Sequence, residues 1–245
     1  MRFISIILIL GIFVVSVSAC TRTPYRLPYV NGTEVQITQD HTTHTTPEEK
    51  MFDIRATTQR QTLAAAKSGW VRYVKETGNS SAATNNYVWI EHPLDYCQPS
   101  GSAPPGNGGL ATTCKTCSKG LGRCNEWTLY AHMEQNSVSA AGVSVGDWVT
   151  AGQPIGIESD VGKTFCAPGV TTPLCGRHVH FAVWKFEVDS ALAKPTDLFN
   201  PKDDDGDYEE YAEMYGRPEV VPLFCTAQGL RYPRQNDVHI AANCP

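Results

Sequence analysis

The chain has 245 residues, 41% hydrophobic and 18% charged, with five Trp and ten Tyr, enough to bury a real core and outside the range of a disordered tail or a coiled coil. A formal net charge of −5 leaves no electrostatic footprint for nucleic acid, so none is expected as a partner.

Residues Met1 to Ala19 combine one basic residue, Arg2, an apolar run from Phe3 to Val15 and the small-residue stretch Ser16-Val17-Ser18-Ala19. This pattern predicts a secretory signal over residues 1–19, too short for a comfortable bilayer span, and therefore an exported protein of the periplasm, cell envelope or extracellular space. Nine cysteines follow from Cys20 onward. Cys20 stands directly after Val17-Ser18-Ala19, as the acylated cysteine of a bacterial lipoprotein does, and its lipidation would attach the protein to a membrane. Removing it leaves an even set, which in an oxidising compartment predicts four disulfides. Cys166 with Cys175 and Cys225 with Cys244 are the favoured pairs because each closes a short local loop, with Cys117–Cys124 behind them. A zinc knuckle or redox pair at Cys114-x-x-Cys117 lacks a fourth ligand at regular spacing. A monomer is expected.

Along the chain, residues 20–40 carry Pro24, Pro28, Asn31 and Gly32 without periodicity and read as a leader. From Phe52 to about Lys185 short strand patterns alternate with Gly, Asn and Ser turns. They are Trp70 to Val74, Tyr87 to Ile90, Trp127 to Met133, Val145 to Val149, Gly152 to Gly156 and His178 to Phe186. Only Gln59 to Lys67 has a helical alternative. A Pro/Gly/Ser/Cys-rich insertion between Pro93 and Arg123 predicts a disulfide-stapled surface loop. After Trp184 the composition shifts, and seven acids fall between Asp203 and Glu213. Asp203, Asp205 and Asp207 alternate as Ca²⁺ ligands do, but the pattern departs from the EF-hand loop and a solvated acidic turn is favoured. The fold expected is all-β: an antiparallel sheet or sandwich with an open groove, disulfide-stapled loops and a small irregular C-terminal extension. Its parts are a domain over residues 41–187 and an acidic, Cys-containing extension over 188–245.

Four of the seven histidines converge on one chemistry. His178 and His180 are two apart, so on a strand they share one face, about 7 Å apart, while Val179, Phe181 and Val183 take the other. Side-by-side imidazoles suit a metal site and equally an exposed sheet surface. His132 follows Leu129-Tyr130-Ala131, with Tyr130 expected on its face. Asp53 lies between Phe52 and Ile54, whose burial turns the carboxylate to the opposite face, where a buried charge needs a partner. His44 precedes Asp53 by nine residues, and His44, Asp53 and one strand His would make a His₂Asp zinc site with an open fourth position. His41, three residues earlier, competes with His44. His92 reads as a strand-edge residue and His239 as a tail residue, neither with a nameable partner. No H-E-x-x-H occurs, which removes helix-borne metalloprotease schemes.

Taken together these segments resemble the lysostaphin-type (LytM-like) zinc metallopeptidases, which cut peptidoglycan. The first motif reads His44-Thr-Thr-Pro-Glu-Glu-Lys-Met-Phe-Asp53. After it come Lys67-Ser68-Gly69-Trp70-Val71 and Asn86-Tyr87-Val88-Trp89-Ile90-Glu91-His92. Leu129-Tyr130-Ala131-His132, the paired turns from Val145 to Gly156 and His178-Val179-His180-Phe181 complete the order. The resemblance covers about residues 41 to 186. It implies one Zn²⁺ held by His44, Asp53 and His180, with His132 and His178 acting on the water and the developing oxyanion; Tyr130 is an additional oxyanion candidate. The chain departs from the pattern where Thr57-Thr58-Gln59-Arg60-Gln61-Thr62 replaces a Pro-x-Gly-Thr turn, and in its Cys-rich insertions.

The function expected is an exported zinc endopeptidase hydrolysing peptide cross-links of bacterial peptidoglycan. The alternative is a non-catalytic envelope module that binds peptidoglycan or activates a partner hydrolase.

Overall fold

The side-chain alternation that singled out Asp53 also builds the scaffold. In the computed structural model, which describes residues 24–44, 51–80, 85–93, 123–162, 176–188 and 221–244, Phe52 and Ile54 point to one face of a strand and are fully buried, while Asp53 points to the other. That strand, β3 (Phe52–Ala56), follows β1 (Tyr25–Arg26) and β2 (Glu34–Gln39). The chain continues through β4 (Thr62–Ala64), β5 (Gly69–Lys75), β6 (Tyr87–Pro93) and β7 (Arg123–Ala131) to a single helical turn, α1 (Ser137–Ala140). Next come β8 (Trp148–Val149), β9 (Pro154–Ile157), β10 (Val179–Val188), β11 (Phe224–Thr226), β12 (Gly229–Arg231) and β13 (Val238–Ile240).

Eight strands form the main sheet in the order β13-β2-β3-β10-β7-β6-β5-β8, with antiparallel neighbours throughout. Register places His180 opposite Asp53 on one side and Ala131 on the other, so three central strands bring their functional positions to one line. One face carries Val35, Ile37, Phe52, Ile54, Val71, Val88, Ile90, Tyr130, Val179, Phe181 and Val183 in a single apolar cluster. Leu63 and Ile155 of the β4–β9 pair and Tyr25 and Phe224 of the β1–β11–β12 sheet pack into the same cluster, so two small sheets cover that face and the layers form a sandwich. The opposite face carries a second cluster of Met51, Tyr87, Trp89, Trp127, Leu129, Ala131 and Ala182 beside Asp53 and His180.

The domain begins earlier than the leader reading implied. Residues 25–39, aperiodic because two short strands are punctuated by prolines and the turn at Asn31-Gly32, supply β1 and β2, and β2 pairs directly with β3. The described part of the C-terminal extension, 221–244, is built in as well: β13 pairs with β2, β11 pairs with β1, and Cys225 and Cys244 form the expected disulfide. Thr62–Ala64 is a strand, which settles the helical alternative over Gln59 to Lys67 against the helix. The acidic segment with Asp203, Asp205 and Asp207, the Pro93 to Arg123 insertion except Arg123 and Pro93 themselves, Cys20 and the Cys166–Cys175 and Cys117–Cys124 pairs lie outside the described residues or side chains. No described helix is long and apolar enough to cross a membrane.

His92 is corrected too: it is fully buried near the end of β6, against the start of β5, where Gly69 lets the strands approach so closely that a Cβ there would sit 2.3 Å from the Glu91 carbonyl oxygen. Its Nδ1–H donates to the Ser68 carbonyl at 2.9 Å, and Nε2 accepts from the Thr128 hydroxyl at 2.7 Å. Burial, with Lys67 adding to it, pushes the ring down to about 3. The unfolded chain then binds a proton at His92 below about pH 6.5 that the folded chain refuses until about pH 3. This stability is present above the unfolded value and falls by about 1.4 kcal/mol per pH unit across that window. Denaturant unfolding of His92→Gln should show a correspondingly shallower loss between pH 6 and 4 than the parent; equal slopes would refute the assignment.

Candidate metal centre

Five side chains from four segments meet beside β3 and β10. Asp53, 8% exposed, is held by the pleat of β3 against β10. Its Oδ1 lies 2.8 Å from His180 Nδ1, 3.3 Å from His178 Nε2 and 3.5 Å from His44 Nε2. The His132 and His178 rings are 4.6 Å apart, and His178 and His180 6.5 Å, close to the strand-repeat expectation. Two triads have their donor atoms within 4.8 Å of one another: His44, Asp53 and His180, and His132, His178 and His180. The structure thus brings together all five residues singled out for the zinc chemistry. His41 does not join them; its Nε2 is 3.2 Å from Arg234 Nη1 and its ring packs on Phe52.

Tyr130 is a correction. It points to the opposite face, fully buried against Phe181, and its hydroxyl accepts the Ala66 N–H at 2.7 Å. Burial pushes its phenol up to about 12. It is a core residue and cannot serve as an oxyanion donor. Sequence alternation put Tyr130 and His132 on one face, but β7 ends at Ala131 and His132 takes a left-handed backbone conformation, φ +60°. That departure swings its ring out of the ladder toward His178. Such a conformation in a non-glycine residue costs of order 1–3 kcal/mol and needs support. Support comes from Asn85, whose Oδ1 accepts the His132 N–H at 2.9 Å, and from Ser159, whose N–H and hydroxyl both donate to the His132 carbonyl, at 2.8 and 3.1 Å. Ser159 also accepts the His178 N–H on its carbonyl at 3.3 Å, so one buried residue sets both imidazoles. Gly162, at φ +83°, brings the strand-like segment against Asn85, where a Cβ would sit 2.8 Å from the Asn85 Cα.

Backbone carbonyls also fix the ring tautomers. His132 Nδ1–H donates to Val161 O and His178 Nδ1–H to Gly176 O, each at 2.9 Å, which leaves Nε2 the lone-pair nitrogen in both neutral rings. His180 is turned the other way: Nε2 faces Met51 Sδ at 2.7 Å, and Nδ1 faces the carboxylate.

Burial pushes the Asp53 carboxyl up, yet the charge and hydrogen bonds of His178, His180 and His44 win and hold it well below the usual carboxylate range. Burial together with repulsion from His178 and His180 keeps His132 well below the ordinary imidazole value. Burial opposes charging of His178 as well, but Asp53 prevails and raises it.

This donor set fits zinc. Three imidazole nitrogens face one carboxylate oxygen, and the donor atoms of His44, Asp53 and His180 lie within 4.8 Å of one another. Two imidazoles with one carboxylate is a catalytic zinc ligand set that keeps a position open.

The structure adds residues that sequence reasoning missed: Ser159, Asn85, Met51 and the carbonyls of Val161 and Gly176. Backbone-mediated contacts leave no residue-type signature. Nearby, Arg177 and the fully buried Glu158 pin residues 57–62: Arg177 Nε is 3.2 Å from Glu158 Oε1, its Nη2 donates to the Ala56 and Thr58 carbonyls, and Glu158 accepts the Gln61 N–H. Nitrogen-resolved NMR of the side chains above pH 8 should find His132 and His178 as Nδ1–H tautomers. The opposite tautomer in either would remove its proposed proton-transfer nitrogen from the site.

No family model and no curated protein matches the chain. Solved structures similar to it include a zinc-containing peptidase from Vibrio cholerae (19% identity, TM-score 0.36, 70% of this chain), the SpoIIQ–SpoIIIAH pore-forming complex (18%, 0.37, 69%) and the deep-sea M23 metalloprotease pseudoalterin (17%, 0.36, 67%). The chain spans 40% of the Vibrio protein's length, against 88% and 72% for the other two.

Proposed function

We propose that the chain is an exported zinc-dependent endopeptidase that hydrolyses peptide cross-links of bacterial peptidoglycan. The observation that carries the reading is the meeting of three imidazole nitrogens on Asp53 Oδ1 with a fourth imidazole, His132, set edge-on to His178. His44 through Nε2, Asp53 through Oδ1 and His180 through Nδ1 hold the metal in this reading. The chemistry zinc supplies is Lewis acidity toward a scissile carbonyl and toward water.

The remaining work falls to the chain. His132 and His178, with Nδ1–H committed to backbone carbonyls, offer Nε2 to accept the proton of an attacking water and to return one to the leaving amine. Once charged, either ring is a donor for the developing oxyanion. Asp53, 3.3 Å from His178 Nε2, favours the protonated form of that ring. Export is supported by the signal pattern over Met1 to Ala19 and by the Cys225–Cys244 disulfide, a bond suited to oxidising compartments. Peptidoglycan as substrate rests on the sequence resemblance, as does attachment through a lipidated Cys20 on its signal-like context.

Purified protein should carry one zinc per chain. His44→Ala, Asp53→Ala and His180→Ala should lose it, whereas His132→Ala and His178→Ala should keep zinc and fold yet lose hydrolysis of muropeptides by roughly 10²-fold or more. Zinc content and product masses from the same preparations check this. Zinc retained in Asp53→Ala would reject the ligand set, and a zinc-loaded parent that cuts no muropeptide would turn the reading to a binding module.

A further inference from the structure

In the described part of the loop that presents His44, His41 and Thr43 are half-buried and Thr42 is exposed. Its order comes from Asp40, which is 2% exposed. The Asp40 carbonyl accepts the Thr43 and His44 N–H groups at 3.0 and 3.1 Å, and Asp40 N–H donates to Thr43 Oγ1 at 2.8 Å. Asp40 Oδ1 accepts from Thr42 N at 2.8 Å, Thr42 Oγ1 at 2.6 Å and Thr43 Oγ1 at 3.2 Å. Its other oxygen, Oδ2, accepts the Gln235 N–H at 3.0 Å, from a segment 195 residues away.

Around that bridge the C-terminal segment is registered on the same stretch of chain. Gln235 Nε2 donates to Thr38 O at 2.9 Å, Asn236 N–H donates to Ile37 O at 2.8 Å, and Ile37 N–H donates to Asp237 O at 3.0 Å. Arg234 Nη1 meets His41 Nε2 at 3.2 Å. Gln235 lies inside the loop closed by the Cys225–Cys244 disulfide.

We propose that Asp40 is a positioning residue for the metal site, tying the His44 loop to the disulfide-closed C-terminal segment so that this segment sets how well His44 holds the metal. The proposal rests on the reading of His44 as a zinc ligand. The physical basis is the use of both carboxylate oxygens in different directions: Oδ1 shapes the turn that carries His44, and Oδ2 anchors the turn to a separately stapled element. An amide can replace one oxygen only, because its nitrogen would face an N–H or O–H donor. Ligand geometry tolerates errors of about 0.2 Å, and partners that orient ligands typically contribute 10–100-fold to metal affinity.

The test compares the parent, Asp40→Asn, the double variant Cys225→Ser/Cys244→Ser and His44→Ala. Two readouts are used: zinc affinity by competition with a chromophoric chelator, and the visible spectrum of the Co²⁺-loaded protein at saturation. Asp40→Asn should bind zinc about 10–100-fold more weakly and shift the cobalt bands, since a merely destabilising change leaves the spectrum of the saturated site unaltered. The disulfide-free variant should move in the same direction, and it carries the test if Asp40→Asn does not fold. Parent-like affinity and spectra in both variants, with zinc binding abolished in His44→Ala, would overturn the proposal alone. Parent-like zinc binding in His44→Ala would overturn the ligand assignment and the proposal with it.

Discussion

A carboxylate taken out of water inside a sheet is the constraint around which this molecule is arranged. Asp53 sits between two fully buried apolar residues in a strand flanked on both sides, and an isolated charge there would cost several kcal/mol or would neutralise. It does neither, because imidazoles from His44, His178 and His180 converge on a single oxygen and keep the group ionised. The register of β3 on β10 pairs Asp53 with His180, which sets the two side chains opposite each other on one face. The apolar face of the same strands supplies the stability: Phe52, Ile54, Val179 and Phe181 belong to the larger core cluster.

Regular pleat alone would not complete the site. His180 is placed by alternation, whereas His132 is delivered by leaving the ladder at positive φ and His178 by a bridge to Ser159 just before β10 begins. The segment from Glu158 to Val161 acts as a strap that takes hydrogen bonds from both, and Glu158 anchors that strap through Tyr29, Ala56, Gln61 and Arg177. Strain at one residue is thereby met by a buried polar network below it, a common arrangement where geometry serves chemistry.

Much of this was legible in the residues. Alternating apolar patterns at Phe52-Asp53-Ile54 and His178 to Val183 predict strands with their polar positions on a shared face, and both strands are where the pattern puts them. The Cys225–Cys244 pair follows from its short loop. Alternation failed at Tyr130 and His132 because nothing in Ala131-His132-Met133 marks a left-handed residue, and the rule assumes an unbroken ladder. The early strands β1 and β2 were hidden because their partners lie some 200 residues away for β1, in β11, and because Pro24, Pro28 and Gly32 interrupt any period. Asp40 carried a readable signal, an Asp followed by Thr42 and Thr43 that favours a side-chain-closed turn, but its contact with Gln235 is tertiary and leaves no local trace.

The proposed zinc site is defined by the atoms that would surround the metal. X-ray absorption at the zinc edge of the purified protein measures this directly. The prediction is a light-atom shell at about 2.0–2.1 Å with outer scattering from two imidazoles and a carboxylate oxygen among the ligands. A shell with three imidazoles, as the His132, His178 and His180 grouping would supply, or one with sulfur at about 2.3 Å, would contradict it.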